Sequence, residues 1–293
     1  MASFNKITID IFLVKALIAS QFPQWGHLEI KPVEHGGWDN RTFHLGDTML
    51  IRLPSAECYA SKVEKEQRWL PKLAPFLPLA IPAPVAMGNP TREYPWHWSI
   101  YKWIEGETVS DKNVVDQIQF ARDLAQFLVA LQKIDTTGGP IAGEHNFYRG
   151  GSLRVYDSEV REALRVLGDS IDSAVVTELW NRALEVEWNK DPVWIHGDIA
   201  VGNLLIEDGK LKAVIDFGGL AIGDPACDYV IAWTFLTQES RHVFKEALSV
   251  DNATWNRARG WVLWKALIIC AQLCGTDSNQ QKQSRKVLQE ILI

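Results

Sequence analysis

A chain of 293 residues is longer than one minimal core needs and fits two lobes or two modest domains. Its 47% hydrophobic and 23% charged residues are an ordinary globular balance. A net charge of −6 with no basic stripe argues against nucleic acid as a partner, and no apolar run is long enough to span a membrane.

The first 20 residues have an apolar middle interrupted by Lys6, Asp10 and Lys15, which predicts an amphipathic helix rather than a signal peptide. Residues 28–34, 41–45 and 48–53 predict strands, the last after a Gly46-Asp47 turn. The stretch ECYASKVEKEQRWLPKLA predicts a helix ending near Pro71, followed by a Pro-rich connector. WHWSIYKWI (96–104) predicts another strand, closed by Glu105-Gly106. After residue 110 the character turns helical. Val114, Ile118, Ala121, Leu124, Leu128 and Leu131 share one face of a helix within 113–134. Further helices are expected near 157–168, 173–190, 226–236, 240–249, 252–274 and 280–291, with one hairpin around Asp208-Gly209. The expected class is α+β: a β-rich lobe over 1–103, a hinge near 102–106, and a helical lobe over 104–293. Four cysteines without a paired framework fit a reduced, cytoplasmic protein.

The chemistry concentrates in VWIHGDIAVGN (193–203) and AVIDFGG (213–219). A two-residue turn at Asp208-Gly209 sets Asn203 opposite Val214, and period-two alternation then gives Asn203 and Asp216 one face. Asp198 sits on the loop just before. Mg²⁺ takes hard oxygen ligands through one or two carboxylates plus substrate phosphates. A further carboxylate held off the metal can take the proton of an attacking hydroxyl. His196-Gly197-Asp198 with Asn203 five residues on, then Asp216-Phe217-Gly218, follows the order of a kinase catalytic loop and metal site.

HGDIAVGNLL and AVIDFGGLAIGDPACD resemble the aminoglycoside phosphotransferase family of kinase-like enzymes, as do GGWDN, RLP, VEKEQRWLP and WIEGE. The resemblance implies a bilobal protein-kinase-like fold and an antibiotic-resistance type of activity: the γ-phosphate of ATP or GTP moved to a hydroxyl of an aminoglycoside-like acceptor, with Mg²⁺. Relatives acting on macrolides or small metabolites, and a kinase-like protein without turnover, are the alternatives. It implies Asp198 as the catalytic base and Asn203 and Asp216 as metal ligands. Gly36 and Gly37, with Trp38, Asp39 and Asn40, would cover the phosphates. The backbone of Lys102, Trp103 and Ile104 would meet the base. Asp228 would brace the catalytic lobe, and Asp224 reads as a turn or cap residue. The expected assembly is a monomer or weak homodimer.

The family usually carries Lys on the third strand, where this chain has Arg52. Val63, Glu66, Leu70 and Leu73 share a helical face, so Glu66 is a carboxylate on the apolar side that needs a partner. The kinase pattern makes Arg52 that partner. Tyr101 aligns with the position bordering the base pocket, and alternation leaves it either in that pocket or in the core. His196 reads as support for the catalytic loop and His145 as incidental. Trp255, Trp261 and Trp264 read as core or as flanking the acceptor. Glu144, Asp157, Glu159 and Glu162 read as a solvated face or as a greeting for a polycation.

Overall fold

The computed structural model describes residues 7–34 and 39–292, divided between two units: Met1–Glu107 with Lys212–Gly218, and Thr108–Leu211 with Gly219–Ile293. In the first unit, helix α1 (Ile11–Gln21) opens on Asp10, whose carboxylate accepts the Leu13 amide at 2.9 Å. It buries Val14, Leu17 and Ile18, at i, i+3 and i+4. Strands β1 (Ile30–Pro32), β2 (Asn40–Leu45) and β3 (Met49–Pro54) precede helix α2 (Glu57–Leu73). Strands β4 (Pro84–Gly88) and β5 (Trp98–Lys102) complete an antiparallel sheet in the order β1-β2-β3-β5-β4.

Alternation divides this sheet between two tasks. Phe43, Leu45, Ile51, Leu53, Trp98 and Ile100 join the α1 residues in one apolar core. Each fully buried side chain of this size contributes about 1.5–3 kcal/mol, which fixes the register of β3 and β5. The residues between them, Arg52, Ser99 and Tyr101, therefore leave that core on the opposite side. Helix α2 packs against β3 and β5 and brings in Glu66 from its buried face. α2 runs through Pro71 and ends at Leu73, two residues beyond the expected stop. At that depth a proline costs only one bond of the final turn. Part of the Pro-rich connector is an edge strand, β4, which Pro84 opens at the one place where a missing N–H costs little.

The compact units do not divide at 103/104. The first unit continues to Glu107 and takes back 212–218. The connector is the cause: the Ala80 amide donates to the Lys212 carbonyl at 3.1 Å and the Val214 amide to the Ala80 carbonyl at 3.0 Å.

In the second unit, after β6 (Glu107–Thr108), helix α3 (Gln117–Gln132) begins where Asp116 caps the Ile118 and Gln119 amides, both at 2.9 Å. Val114 thus precedes the helix instead of joining its face. Helices α4 (Asp157–Leu167) and α5 (Ser173–Glu185) follow, then β7 (Val193–Ile195), β8 (Leu204–Glu207), β9 (Lys210–Val214), which passes into the first unit at Lys212, and β10 (Ala221–Gly223). Helices α6 (Ile231–Thr234), α7 (Gln238–Leu248), α8 (Asn252–Cys270) and α9 (Ser278–Leu292) end the chain. The chain reverses at Asp208-Gly209, with φ of 51° and 75°, as the hairpin signal predicts. β9 stops at Val214, so the alternation that gives Asn203 and Asp216 one face ends two residues short of Asp216, whose own φ is 64°. β7 pairs antiparallel with β10, Ile195 opposite Ala221, in strands too short for their periodicity to be read. α8 is buried along most of its length against α4, α5 and α9. Gly260 lets α5 approach: an added Cβ would lie 2.6 Å from the Cβ of Ala183.

Candidate active site

The candidate residues fall into two clusters, one in each unit. In the first unit, Arg52 Nη2 donates to Asp216 Oδ1 at 2.9 Å, and Nη1 lies 3.5 Å from Glu66 Oε2. The pair with Glu66 that helix phasing predicts is present, but the closer partner is Asp216. Burial alone would lower the Arg52 pKa, yet the two carboxylates hold it above its ordinary value. Burial pushes the Glu66 carboxyl up, against the pull of Arg52. The Tyr101 hydroxyl donates to Glu66, and Tyr101 is buried, its own pKa raised by burial and by that carboxylate. Tyr101 therefore belongs to the charged face of the sheet; it lines a cavity of about 10 Å³ with Arg52, Glu66 and Asp216.

Two lysines of α2 complete this cluster. Lys62 Nζ lies 2.5 Å from Asp39 Oδ2, and Lys65 Nζ donates to the Gly218 carbonyl at 2.8 Å. Burial lowers the Lys65 pKa to about 8. Asn40 begins β2 and lines the same small cavity. Gly36 and Gly37 lie outside the described residues. Of the expected base-binding backbone, the Lys102 amide is taken by the Ala83 carbonyl at 2.9 Å and the Trp103 amide by the Thr48 carbonyl at 2.8 Å. Those two N–H groups serve the sheet. Ile104 follows, half-buried.

The second cluster surrounds Asp198. Asn203 Nδ2 donates to the Asp198 carbonyl at 2.9 Å and to its Oδ2 at 3.1 Å, so the spacing of five closes the catalytic loop on itself. The amide nitrogen being used there, Oδ1 is the atom Asn203 has to offer a cation. His196 is fully buried and its Nδ1 accepts the Asp198 amide at 3.1 Å. Asp228, also fully buried, accepts the His196 and Gly197 amides, both at 2.7 Å. Burial pushes its carboxyl up to about 7, against the pull of those two N–H groups. Gly197 has φ of 81°, and an added Cβ would lie 2.4 Å from the Gly219 carbonyl oxygen. Only glycine fits that turn.

Two arginines were not singled out by sequence reasoning. Arg149 Nη2 lies 3.4 Å from Asp198 Oδ1. It follows Phe147 and Tyr148, both with left-handed φ, and a local bend of that kind has no signature in these residue types. Arg257 donates to both oxygens of buried Asp224, at 2.6 and 3.3 Å. Asp224 does cap Ala226, as expected, but it is chiefly half of a buried ion pair. His145 bonds the Ile141 carbonyl at 2.9 Å.

Asp198 opens onto a cavity of about 840 Å³ within the second unit. Trp233, Phe235, Trp261 and Trp264 give it aromatic walls. Its acids are Asp111, Asp198 and Glu290, and its bases Arg149, Lys265 and Lys286. Trp255 instead packs against Trp233 at 4.7 Å. Asp157 and Glu162 are paired with Arg161 and Arg165, and Glu159 accepts the Trp264 indole at 2.7 Å.

Comparison with known proteins agrees with this architecture. Residues 29–261 match the model of the phosphotransferase enzyme family. An aminoglycoside 3'-phosphotransferase of Escherichia coli is 28% identical over 155 residues, which are 50% of this chain and 54% of that protein, so the chain spans about half the length of the curated relatives it matches. Among solved structures, the GDP and kanamycin complex of an APH(2") enzyme aligns over 96% of this chain and 98% of its own, at 20% identity and a TM-score of 0.74. A macrolide 2'-phosphotransferase type I aligns over 97% and 98%, at 20% identity and a TM-score of 0.66. These likenesses show the α+β, protein-kinase-like fold. The chain belongs to the phosphotransferase enzyme family.

Proposed function

We propose that the chain is a small-molecule O-phosphotransferase that moves the γ-phosphate of ATP or GTP to a hydroxyl of an aminoglycoside-like acceptor. The observation that carries this reading is Asp198 in the lining of a cavity of about 840 Å³, with Asn203 bonded to its carboxylate. Asp198 accepts the proton of the acceptor hydroxyl as the phosphoryl group arrives. Asn203 and Arg149 hold the two carboxylate oxygens in one orientation, and Asp228 and His196 fix the backbone beneath them. The resemblance assigns Asn203 and Asp216 to Mg²⁺, and each side chain offers a hard oxygen of the kind that ion takes, one or two of which suffice beside the phosphates. When bound, the ion offsets phosphate charge. The resemblance assigns Asp39, Asn40 and Arg52 to the nucleotide, together with Gly36 and Gly37.

The cavity lining favours a second reading of the acceptor. Its three acids are matched by three bases, and aromatic rings form its walls. A polycation gains little from a balanced charge, whereas an acceptor with a broad apolar surface, as in a macrolide, gains from the aromatic walls. A phosphotransfer screen of aminoglycosides, macrolides and common metabolites, with ATP and GTP, tests both. Transfer to at least one hydroxyl acceptor is expected. Nucleotide binding with neither transfer nor hydrolysis above background overturns the reading in favour of a kinase-like protein without turnover.

A further inference from the structure

Arg52 stands where the resembled family carries its phosphate-binding lysine, but both arms of its guanidinium are engaged with carboxylates, Asp216 at 2.9 Å and Glu66 at 3.5 Å. One cation between two acids is a poor partner for a further anion. Lys62 lies four residues before Glu66 on α2 and so shares its face. Its side chain is 13% exposed, and its ammonium sits 2.5 Å from Asp39 Oδ2 and 4.8 Å from the centre of the Tyr59 ring. It lines the same small cavity as Arg52, Glu66 and Asp216. Its stem runs beside the Asp216–Gly218 turn: an added Cβ on Gly218 would meet Lys62 Cδ at 2.9 Å and Nζ at 3.4 Å. Asp39 belongs to the segment read as covering the phosphates. A half-buried ammonium thus faces an anion supplied by that very segment.

Resting on the phosphotransferase reading, we propose that Lys62 is the principal phosphate-binding cation of the nucleotide site, the role having moved from the third strand to α2. Arg52 is left to order Asp216 and Glu66. A cavity of about 10 Å³ has room for no more than about one water, so a phosphate does not enter behind Lys62. It meets the ammonium from outside, and a phosphate oxygen takes the place of the Asp39 carboxylate.

The test is calorimetric titration of MgATP, MgGTP, adenosine and guanosine into wild type, Lys62→Met, Lys62→Arg and Asp39→Asn. Lys62→Met is expected to weaken the triphosphates about tenfold or more, the loss of one charge-assisted hydrogen bond, with nucleoside affinity unchanged. Lys62→Arg is expected to recover part of the loss. Asp39→Asn leaves the ammonium without its competing acid and is expected to bind MgATP at least as tightly as wild type. Triphosphate affinity of Lys62→Met within twofold of wild type overturns the proposal and leaves the phosphotransferase reading standing. A tenfold weakening in Asp39→Asn also overturns it, even if Lys62→Met does not fold. A wild-type protein that binds no triphosphate removes the phosphotransferase reading itself, and this proposal with it.

Discussion

Arg52 Nη2 donates to Asp216 Oδ1 at 2.9 Å, tying the third strand to a residue 164 positions later. With the bonds between Ala80 and 212–214, it draws the return segment into the first unit. Asp216 lies past the end of β9 in a left-handed conformation, so strand regularity does not hold it. The ion pair and the Lys65 bond to Gly218 do. Arg52→Met leaves Glu66 and Asp216 without their shared cation. The expected loss is about 3 kcal/mol, the low end for a broken buried pair because Asp216 is about a third exposed. Urea denaturation measures it, and an unshifted midpoint would mean that the pair contributes nothing to stability. Arg52→Lys keeps the charge but cannot fork between the two acids, so an intermediate midpoint is expected.

Asp198→Asn removes the proton acceptor and keeps the shape of the loop, since an amide oxygen can still accept from Asn203. A fall in kcat of roughly 10²-fold or more is expected, with MgATP affinity nearly unchanged. Single-turnover kinetics beside calorimetry separates the two quantities. A folded variant with kcat near wild type would remove Asp198 from the role of base.

Asp228 predicts a pH dependence of stability. Its folded pKa is raised from an ordinary 3.8 to about 7, chiefly by burial. The folded state thus holds a proton that the unfolded chain has lost, and this group's contribution is fully present below pH 3.8 and lost as pH rises through about 7. Asp228→Asn cannot titrate. Urea midpoints of the variant are expected to lack the decline between about pH 4 and 7 that this group gives wild type. The variant is also expected to be less stable by about 1–3 kcal/mol, because an amide cannot accept both the His196 and the Gly197 N–H. Parallel pH profiles of the two proteins would show that Asp228 does not titrate in this window.

What could be read from the sequence was what lies close together along it. The spacing of Asp198 and Asn203 is local, and the structure closes that loop with two hydrogen bonds from one side chain. The phase of Glu66 on α2 and the turn at Asp208-Gly209 are local as well. Arg149 on Asp198 and Arg257 on Asp224 join distant segments, and nothing in their neighbours' periodicity points to either contact. Period two does not extend to Asp216 because the strand stops before it. For Tyr101 it left two facings, which the apolar partners of Trp98 and Ile100 decide.

Arg257 carries the largest expected stability effect. It is 5% exposed on α8 and donates to both oxygens of Asp224, to the Val186 carbonyl at 2.9 Å and to Thr254 Oγ1 at 3.0 Å. Burial raises the Asp224 carboxyl while Arg257 pulls it down, so the carboxylate depends on this one guanidinium. Arg257→Met would strand a buried acid and two acceptors. The expected cost is about 3–5 kcal/mol, a large share of the stability of a typical domain. Because Asp224 also caps the turn at Ala226, two residues before Asp228, the loss is expected to reach the catalytic loop. Hydrogen exchange at the His196 and Gly197 amides, compared at equal distance below each protein's melting midpoint, reads that coupling. Faster exchange at both amides is expected in Arg257→Met. Wild-type protection there in a destabilised variant would confine the effect of Arg257 to α8 and its immediate partners.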